Sequence, residues 1–211
     1  MPLNDDLTFF VRMLNYYKSL FYLCSLNYPV NLSQKINILN TVIHNLSMAE
    51  TISIVNDTIV NEESIQHVVV NAGKIVQMQK DEQLRESVNN SDIINADGQA
   101  VVWAANFLNK PLKERVAGID LMENLVELAY KNNYKIFLFG AKEEVVKEVA
   151  TIYSKKYGSD IIAGYRNGYY QKEEEASIAN EIVSSGANML FVAITSPKKE
   201  NFLYDFKKEL K

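Results

Sequence analysis

DIINADGQAVVWAANFLNKPLKERVAGIDLMENLVEL (Asp92–Leu128) decides the fold, because it places a short strand, a lone acidic turn and two helices in consecutive positions. Ile93 and Ile94 read as the end of a buried strand and Asp97-Gly98 as a sharp turn. Gln99 to Leu108 then reads as a helix, with Val101, Val102, Ala105 and Leu108 at helical spacing. Asp97 therefore sits on a strand-to-helix corner. In open α/β sheets, the loops leaving the carboxyl ends of the strands form the ligand crevice. An aspartate there serves as a base, as a ligand contact or as an N-cap.

The flanking sequence repeats this alternation. Upstream, Ile36 to Leu39 and Thr41 to Ile43 read as a pair of short strands. Ser47 with Glu50 three residues on is a capping-box signature for a helix to about Val60. His67 to Val70 is a β-branched strand ending at Asn71-Ala72-Gly73, with a helix through Ile75, Val76 and Met78 after it. Downstream, Lys135 to Phe139 is a buried strand that stops at Gly140. Glu143 to Tyr157 repeats apolar residues at Val145, Val146, Val149 and Ile152 before Gly158 ends the helix. Ile161 to Ala163 reads as a short strand, and Ala176, Ala179, Ile182 and Val183 as an amphipathic helix closed by Gly186. Met189 to Ile194 is the last strand. A final helix starts at Ser196-Pro197 and carries Phe202, Leu203, Phe206 and Leu210 inward.

Strands alternating with helices predict an α/β fold whose mainly parallel sheet is covered by helices on both faces. Parallel strands share one direction, so the loops at Asn71, Asp97, Gly140 and Thr195-Ser196 are expected along one sheet edge as a single site.

Residues 1–34 read as an extension. LTFFVRMLNYYKSLFYLC (residues 7–24) is an aromatic-rich helical stretch with apolar residues on nearly every side, interrupted by Arg12, Asn15 and Lys18. It suits a cover for the domain's own core, a subunit contact or a membrane interface better than a membrane span, which takes about 20 mostly apolar residues. The main domain then occupies residues 35–211, and 47% hydrophobic residues in a 211-residue chain supply a sizeable core. A net charge of -4 argues against general nucleic-acid binding, which needs a basic face. The single cysteine, Cys24, excludes an intrachain disulfide framework, and a reducing cytoplasm is the natural compartment. MPLNDD at the N-terminus is acidic where an export signal would be basic.

The polar residues at the expected edge suggest phosphate and sugar chemistry. Thr195-Ser196-Pro197-Lys198-Lys199-Glu200 offers a hydroxyl N-cap, a proline at the first helical position and two lysines in the first turn. Lysines there oppose the helix dipole, yet with free N–H groups they suit a phosphate or diphosphate; solvated lysines on a capped helix are the alternative. Arg115 offers a guanidinium for bidentate phosphate contact, or is a surface arginine beside Glu114. Asn71 binds a sugar or caps the next helix. Tyr165, Asn167 and Tyr169 in GYRNGYY line a sugar pocket or form a turn, and His44 and His67 read as structural. With no Walker loop, no GxGxxG after a strand and no Asp-x-Asp, a bound diphosphate would be neutralised by N–H groups, Lys and Arg, with no metal and no cofactor.

NAGKIVQMQKDEQLRESVNNSDIINADGQAVVWAANFLNKPLKERVAGIDLMENL, together with KIFLFGAK, AGYRNGYY and AITSPKKE, closely resembles the WecG/TagA/CpsF family of bacterial glycosyltransferases, glycosyltransferase family 26, from about Ile36 onward. The resemblance implies a Rossmann-like fold and a metal-independent inverting transferase. Its donor would be a UDP-sugar, typically UDP-N-acetylmannosamine, and its acceptor an undecaprenyl-diphosphate-linked N-acetylglucosamine. Such an enzyme acts in teichoic acid, common antigen or capsule assembly, in the cytoplasm and peripherally on the inner face of the cell membrane. A homo-oligomer is compatible with it. Matched position by position, the family's catalytic aspartate falls on Asp97, its sugar-contacting asparagine on Asn71 and its motif arginine on Arg115. Gly140, Tyr169, Ser196, Lys198 and Lys199 complete the expected substrate-binding set.

Two departures bear on the donor. Val69 stands where the family often has threonine, and Lys199 where it often has glutamine, so UDP-glucose or a mannosaminuronic acid donor is an alternative. The family continues past the last helix with a strand, a glycine-rich segment and a basic tail, so the expectation is a C-terminally truncated domain; a non-catalytic nucleotide-sugar-binding assembly subunit is then a further alternative.

Overall fold

Side chains alternate across the central strand. In β5 (Ile136–Gly140), Ile136 and Leu138 enter one hydrophobic core while Phe137 and Phe139 enter another. A strand buried on both faces reads as a continuous apolar run, as IFLF does, and it requires helices on both sides. The structure, a computed structural model, describes residues 34–210. The aromatic stretch at residues 7–24 lies outside the described residues.

The first element is an antiparallel hairpin of β1 (Lys35–Ile38) and β2 (Thr41–His44). Leu39 and Asn40 between them have φ of 47° and 58°, the pair of left-handed residues that matches strand twist in a two-residue hairpin. Helix α1 (Met48–Val60) follows with the expected capping box. Ser47 Oγ accepts from the Glu50 N–H at 3.1 Å, and Glu50 Oε2 accepts from the Ser47 N–H at 2.7 Å. Then come β3 (His67–Val70), α2 (Ala72–Met78), α3 (Glu82–Asn89), β4 (Ile93–Ala96) and α4 (Gln99–Phe107). Beyond a loop lie α5 (Gly118–Asn132), β5, α6 (Glu143–Tyr157), β6 (Ile162–Arg166), α7 (Glu175–Ser184), β7 (Met189–Ala193) and α8 (Lys198–Asp205).

The mixed α/β fold with parallel strands agrees with the Rossmann-like expectation, with one refinement. The parallel strands form two hydrogen-bonded ladders, β3-β4 and β6-β5-β7, rather than one continuous sheet. A side chain joins the hairpin to the first ladder, since the Ile94 N–H donates to His44 Nδ1 at 3.0 Å. Three cores result. The β3-β4 ladder packs with α2, α3 and α4; one face of β5 packs with α5 and α6, and the other with α7 and α8.

Several boundaries differ from the sequence expectation. Helix α3 was not anticipated. Its residues are mostly polar and only Leu84, Ser87 and Val88 are buried, but Asp81 caps it by accepting from the Leu84 N–H at 2.9 Å. Strand β6 runs on to Arg166, past the expected end at Ala163, because Gly164 to Arg166 pair with Phe137 to Phe139. Ile161 itself lies in a short 3-10 turn. On α6 the buried side chains are Val146, Ala150 and Tyr153, whereas Val145 and Ile152 face solvent. Val183 on α7 is also exposed.

Both histidines are structural. His67 Nε2 lies 2.9 Å from Asn95 Oδ1, and burial pushes its pKa down to about 4. Burial, followed by the charge of Lys35, also lowers His44. Unfolded histidine takes up a proton near 6.5 and folded His67 only near 4, so the unfolded chain binds more protons between those values and acidification favours it. Stability is therefore expected to be intact above pH 6.5 and to fall toward pH 4, with His67 contributing up to about 3 kcal/mol of the loss. Urea unfolding midpoints across this range check it, and His67→Gln should flatten the profile; an equally steep profile in the variant would contradict the assignment.

Candidate active site

Two turns meet at the carboxyl ends of β3 and β4. The Asp97 N–H donates to the Val70 carbonyl at 2.8 Å, tying one strand exit to the other. Gly98 has a φ of 111°, a conformation that suits glycine, and a Cβ there would lie 3.8 Å from Asn71 Cβ. Asp97 and Asn71 are thus on neighbouring turns.

Asp97 does not cap α4, which corrects one of the readings open from sequence. Gly98 occupies the N-cap position without a side-chain bond. The half-buried Asp97 carboxylate instead reaches across to α5, where Oδ2 accepts from the Gly118 N–H at 3.3 Å. That N–H is brought there by the returning loop, whose Val116 N–H donates to the Ala96 carbonyl at 2.9 Å and whose Val116 side chain is fully buried. The loop is also clasped to α1. Lys113 Nζ pairs with Glu50 at 2.6 Å, and Glu114 accepts from the Met48 N–H.

Asn71 does act as a cap, its Oδ1 accepting from the Lys74 N–H at 2.9 Å while the residue remains exposed. Arg115 is exposed beside the Val116 anchor. Its acidic partner is Asp120, at 3.4 Å, rather than Glu114. An exposed pair of this kind contributes little stability, so the guanidinium is free to exchange partners at little cost.

A cavity of about 500 Å³ opens at the ends of β5, β6 and β7, lined by Tyr169, Tyr170, Thr195 and Lys198 among others, a size typical of small-molecule sites. Lys198 is held against one wall. Its Nζ donates to the Tyr170 carbonyl at 2.9 Å and lies 3.4 Å from the centre of the Tyr170 ring, a cation–π contact. Burial, then the charge of Glu175, pushes the Tyr170 hydroxyl up to about 12. Tyr169 is 70% exposed at the rim. Tyr165 and Asn167 do not line this cavity; Tyr165 lies in β6, and Asn167 bonds Glu143 at 2.9 Å.

The helix after β7 is built differently from expectation. The Ser196–Pro197 peptide is cis, Pro197 takes the N-cap position, and Ser196 makes no cap; its Oγ is buried without a protein partner. Lys199 is half-buried, 4.0 Å from Glu200 Oε1, and its pKa is lowered by burial and then by the nearby Lys74 charge, against the pull of Glu200. Neither Ser196 nor Lys199 lines the cavity. Gly140 does not line it either. A Cβ at Gly140 would lie 2.4 Å from the Ala193 main chain, so the glycine serves the approach of β5 to β7.

None of Asp97, Asn71 and Arg115 lines this cavity, so the single site expected from sequence is divided between two groups of turns, which two residues outside the expected set join. Lys74, in the first turn of α2, pairs with the buried Glu200 of α8 at 2.7 Å. Both lie within stretches already marked as chemical, NAGK and SPKKE, but a pairing over 126 positions leaves no local signal.

A family model described as glycosyl transferase, WecG/TagA/CpsF, matches residues 36–211, the greater part of the chain from the second residue of β1 onward. The chain belongs to the WecG/TagA/CpsF family. Among its relatives is the N-acetylglucosaminyldiphosphoundecaprenol N-acetyl-beta-D-mannosaminyltransferase of Bacillus subtilis strain 168, 34% identical over 128 residues, or 61% of this chain and 49% of that protein. A protein of the same name from Bacillus spizizenii is 32% identical over 120 residues, 57% of this chain and 46% of its own length. The matched region thus spans about half the length of these curated relatives. Of the residues expected from sequence to carry the chemistry, Asp97 and Asn71 share the corner described above.

Gly140 yields a prediction independent of catalysis. Gly140→Ala must fit a methyl group where the Ala193 main chain already lies, at a φ of 138°. A loss of at least about 2 kcal/mol is expected from denaturant unfolding. A variant as stable as the parent would show that β5 and β7 are not held this closely.

Proposed function

We propose that this chain is the catalytic domain of an inverting glycosyltransferase that moves N-acetylmannosamine from a UDP donor to an undecaprenyl-diphosphate-linked N-acetylglucosamine. The observation that carries the reading is the corner where the Asp97 carboxylate, steadied by the Gly118 N–H, stands beside the Asn71 turn at the ends of parallel strands. The acceptor and the transferred sugar are those in the names of both Bacillus relatives.

In this reading Asp97 is the general base. It takes the proton of the acceptor hydroxyl as that oxygen bonds to the anomeric carbon, and the bond from that carbon to the diphosphate breaks, releasing UDP with inversion. Asn71 orients the sugar. The cavity beside Lys198 receives the nucleotide end, and Lys198 and Arg115 offset the diphosphate charge. Ser196 adds a hydroxyl near the first turn of α8. The reaction takes place where the lipid-linked acceptor resides, with the protein peripheral on the inner face of the membrane. Among the described residues, no helix is long and apolar enough to cross a membrane.

Asp97→Asn keeps the hydrogen bond from Gly118 available to an amide oxygen but removes the base. It is expected to retain fold and UDP binding while transfer falls about 10² to 10⁴-fold, the usual worth of general-base catalysis. Radiolabelled sugar transfer to a short-chain lipid-diphosphate acceptor measures this, and a rate near the parent's would remove Asp97 from the role. Calorimetric UDP binding is expected to persist in excess chelator. Binding lost on chelation and restored by magnesium or manganese would overturn the metal-independent reading.

A further inference from the structure

Glu200 is the one charged residue of the described chain whose side chain is almost wholly enclosed, at 2% exposure. Burying a carboxylate costs several kcal/mol unless a cation and hydrogen bonds compensate; here Oε2 is buried without a protein partner, Lys199 stands 4.0 Å from Oε1, and the one close partner comes from another part of the fold. Lys74 Nζ, itself only 10% exposed, donates to Glu200 Oε1 at 2.7 Å and to the Val69 carbonyl at 3.0 Å. One ammonium group therefore joins the end of β3, the first turn of α2 and the first turn of α8.

The Lys74 main chain is equally committed. Its N–H is the donor that Asn71 Oδ1 accepts. A displacement of Lys74 would thus shift the Asn71 turn, and the Asp97 turn packs directly against that one. The far end of the strut is firm. Helix α8 is fastened to α3 by Ser87 Oγ and Asn201 Oδ1 at 3.1 Å, and the following turn is fastened by Lys207 to Asp92 at 3.0 Å. The cavity wall has its own fastenings, Lys198 to the Tyr170 carbonyl and the Gly168 N–H to the Ala141 carbonyl, both at 2.9 Å. None of these passes through Lys74.

We propose that Glu200 is a positioning residue, which through Lys74 holds the Asn71–Asp97 corner in register with the nucleotide cavity. The proposal rests on the transferase reading above. It requires that loss of the strut spoil the reacting geometry while leaving nucleotide binding in place, because small misplacements of reacting groups cost far more rate than affinity.

Three variants test this: Glu200→Gln, Lys74→Met and the double substitution. Each single change is expected to lower kcat per folded molecule by about 10- to 100-fold, with UDP affinity held within about threefold. The double should lose less than the sum of the two singles, since the 2.7 Å Lys74–Glu200 contact is shared and Lys199 stands farther off, at 4.0 Å. It also serves if a single variant folds poorly, because replacing both members of a buried pair is commonly tolerated where breaking it is not. Amide hydrogen exchange, which needs no substrate, is expected to speed up at Lys74 and Ile75 in all three, by more than any fall in global stability accounts for. Unchanged exchange there would overturn the strut, and so would losses that add in the double or a kcat equal to the parent's. Should the parent transfer no sugar at all, the transferase reading fails, while the exchange measurement still decides whether the strut holds the corner.

Discussion

Parallel strands must all leave a ladder at the same end, and the chemistry of this molecule depends on that constraint. In β3-β4 and in β6-β5-β7 the strands run in one direction within each ladder, so each polar turn follows a strand at its carboxyl end. Two families of turns result. One brings Asn71 beside Asp97; the other encloses the cavity beside Lys198. A buried ion pair between Lys74 and Glu200 spans them.

Local signals made much of this legible in the sequence. A β-branched or aliphatic run, then one polar residue, then helical spacing marks a strand exit, and VVV-Asn71 and IINA-Asp97 both show it. Ser47 and Glu50 gave the start of α1 because a capping box needs only four consecutive residues. The corner position of Asp97 is legible in the sequence, but its bonding is not. An acid before Gly98 invites an N-cap, whereas the carboxylate is turned by a partner 21 positions away, the Gly118 N–H.

What stayed hidden depends on tertiary contact. Helix α3 has only two apolar residues, Leu84 and Val88, one turn apart on its buried face, and a polar partner on α8 meets that face at Ser87. Gly164 in β6 looks like a turn residue, yet a Cβ there would lie 2.6 Å from the Phe137 ring, so the glycine makes room for an aromatic on the next strand. The lysines of SPKKE suggested an anion site at a helix start. Only Lys198 meets the cavity, while Lys199 turns toward Glu200. Val69 and Lys199 flank the Lys74–Glu200 bridge through the Val69 carbonyl and the Glu200 carboxylate.

The central claim is that one nucleotide-sugar spans both families of turns, and a crystal structure of the protein with UDP bound tests it most directly. The diphosphate should lie within hydrogen-bond reach of Lys198 in the cavity, with its terminal phosphate directed toward Asn71 and Asp97. UDP bound elsewhere, or with its terminal phosphate directed away from Asp97, would contradict the account.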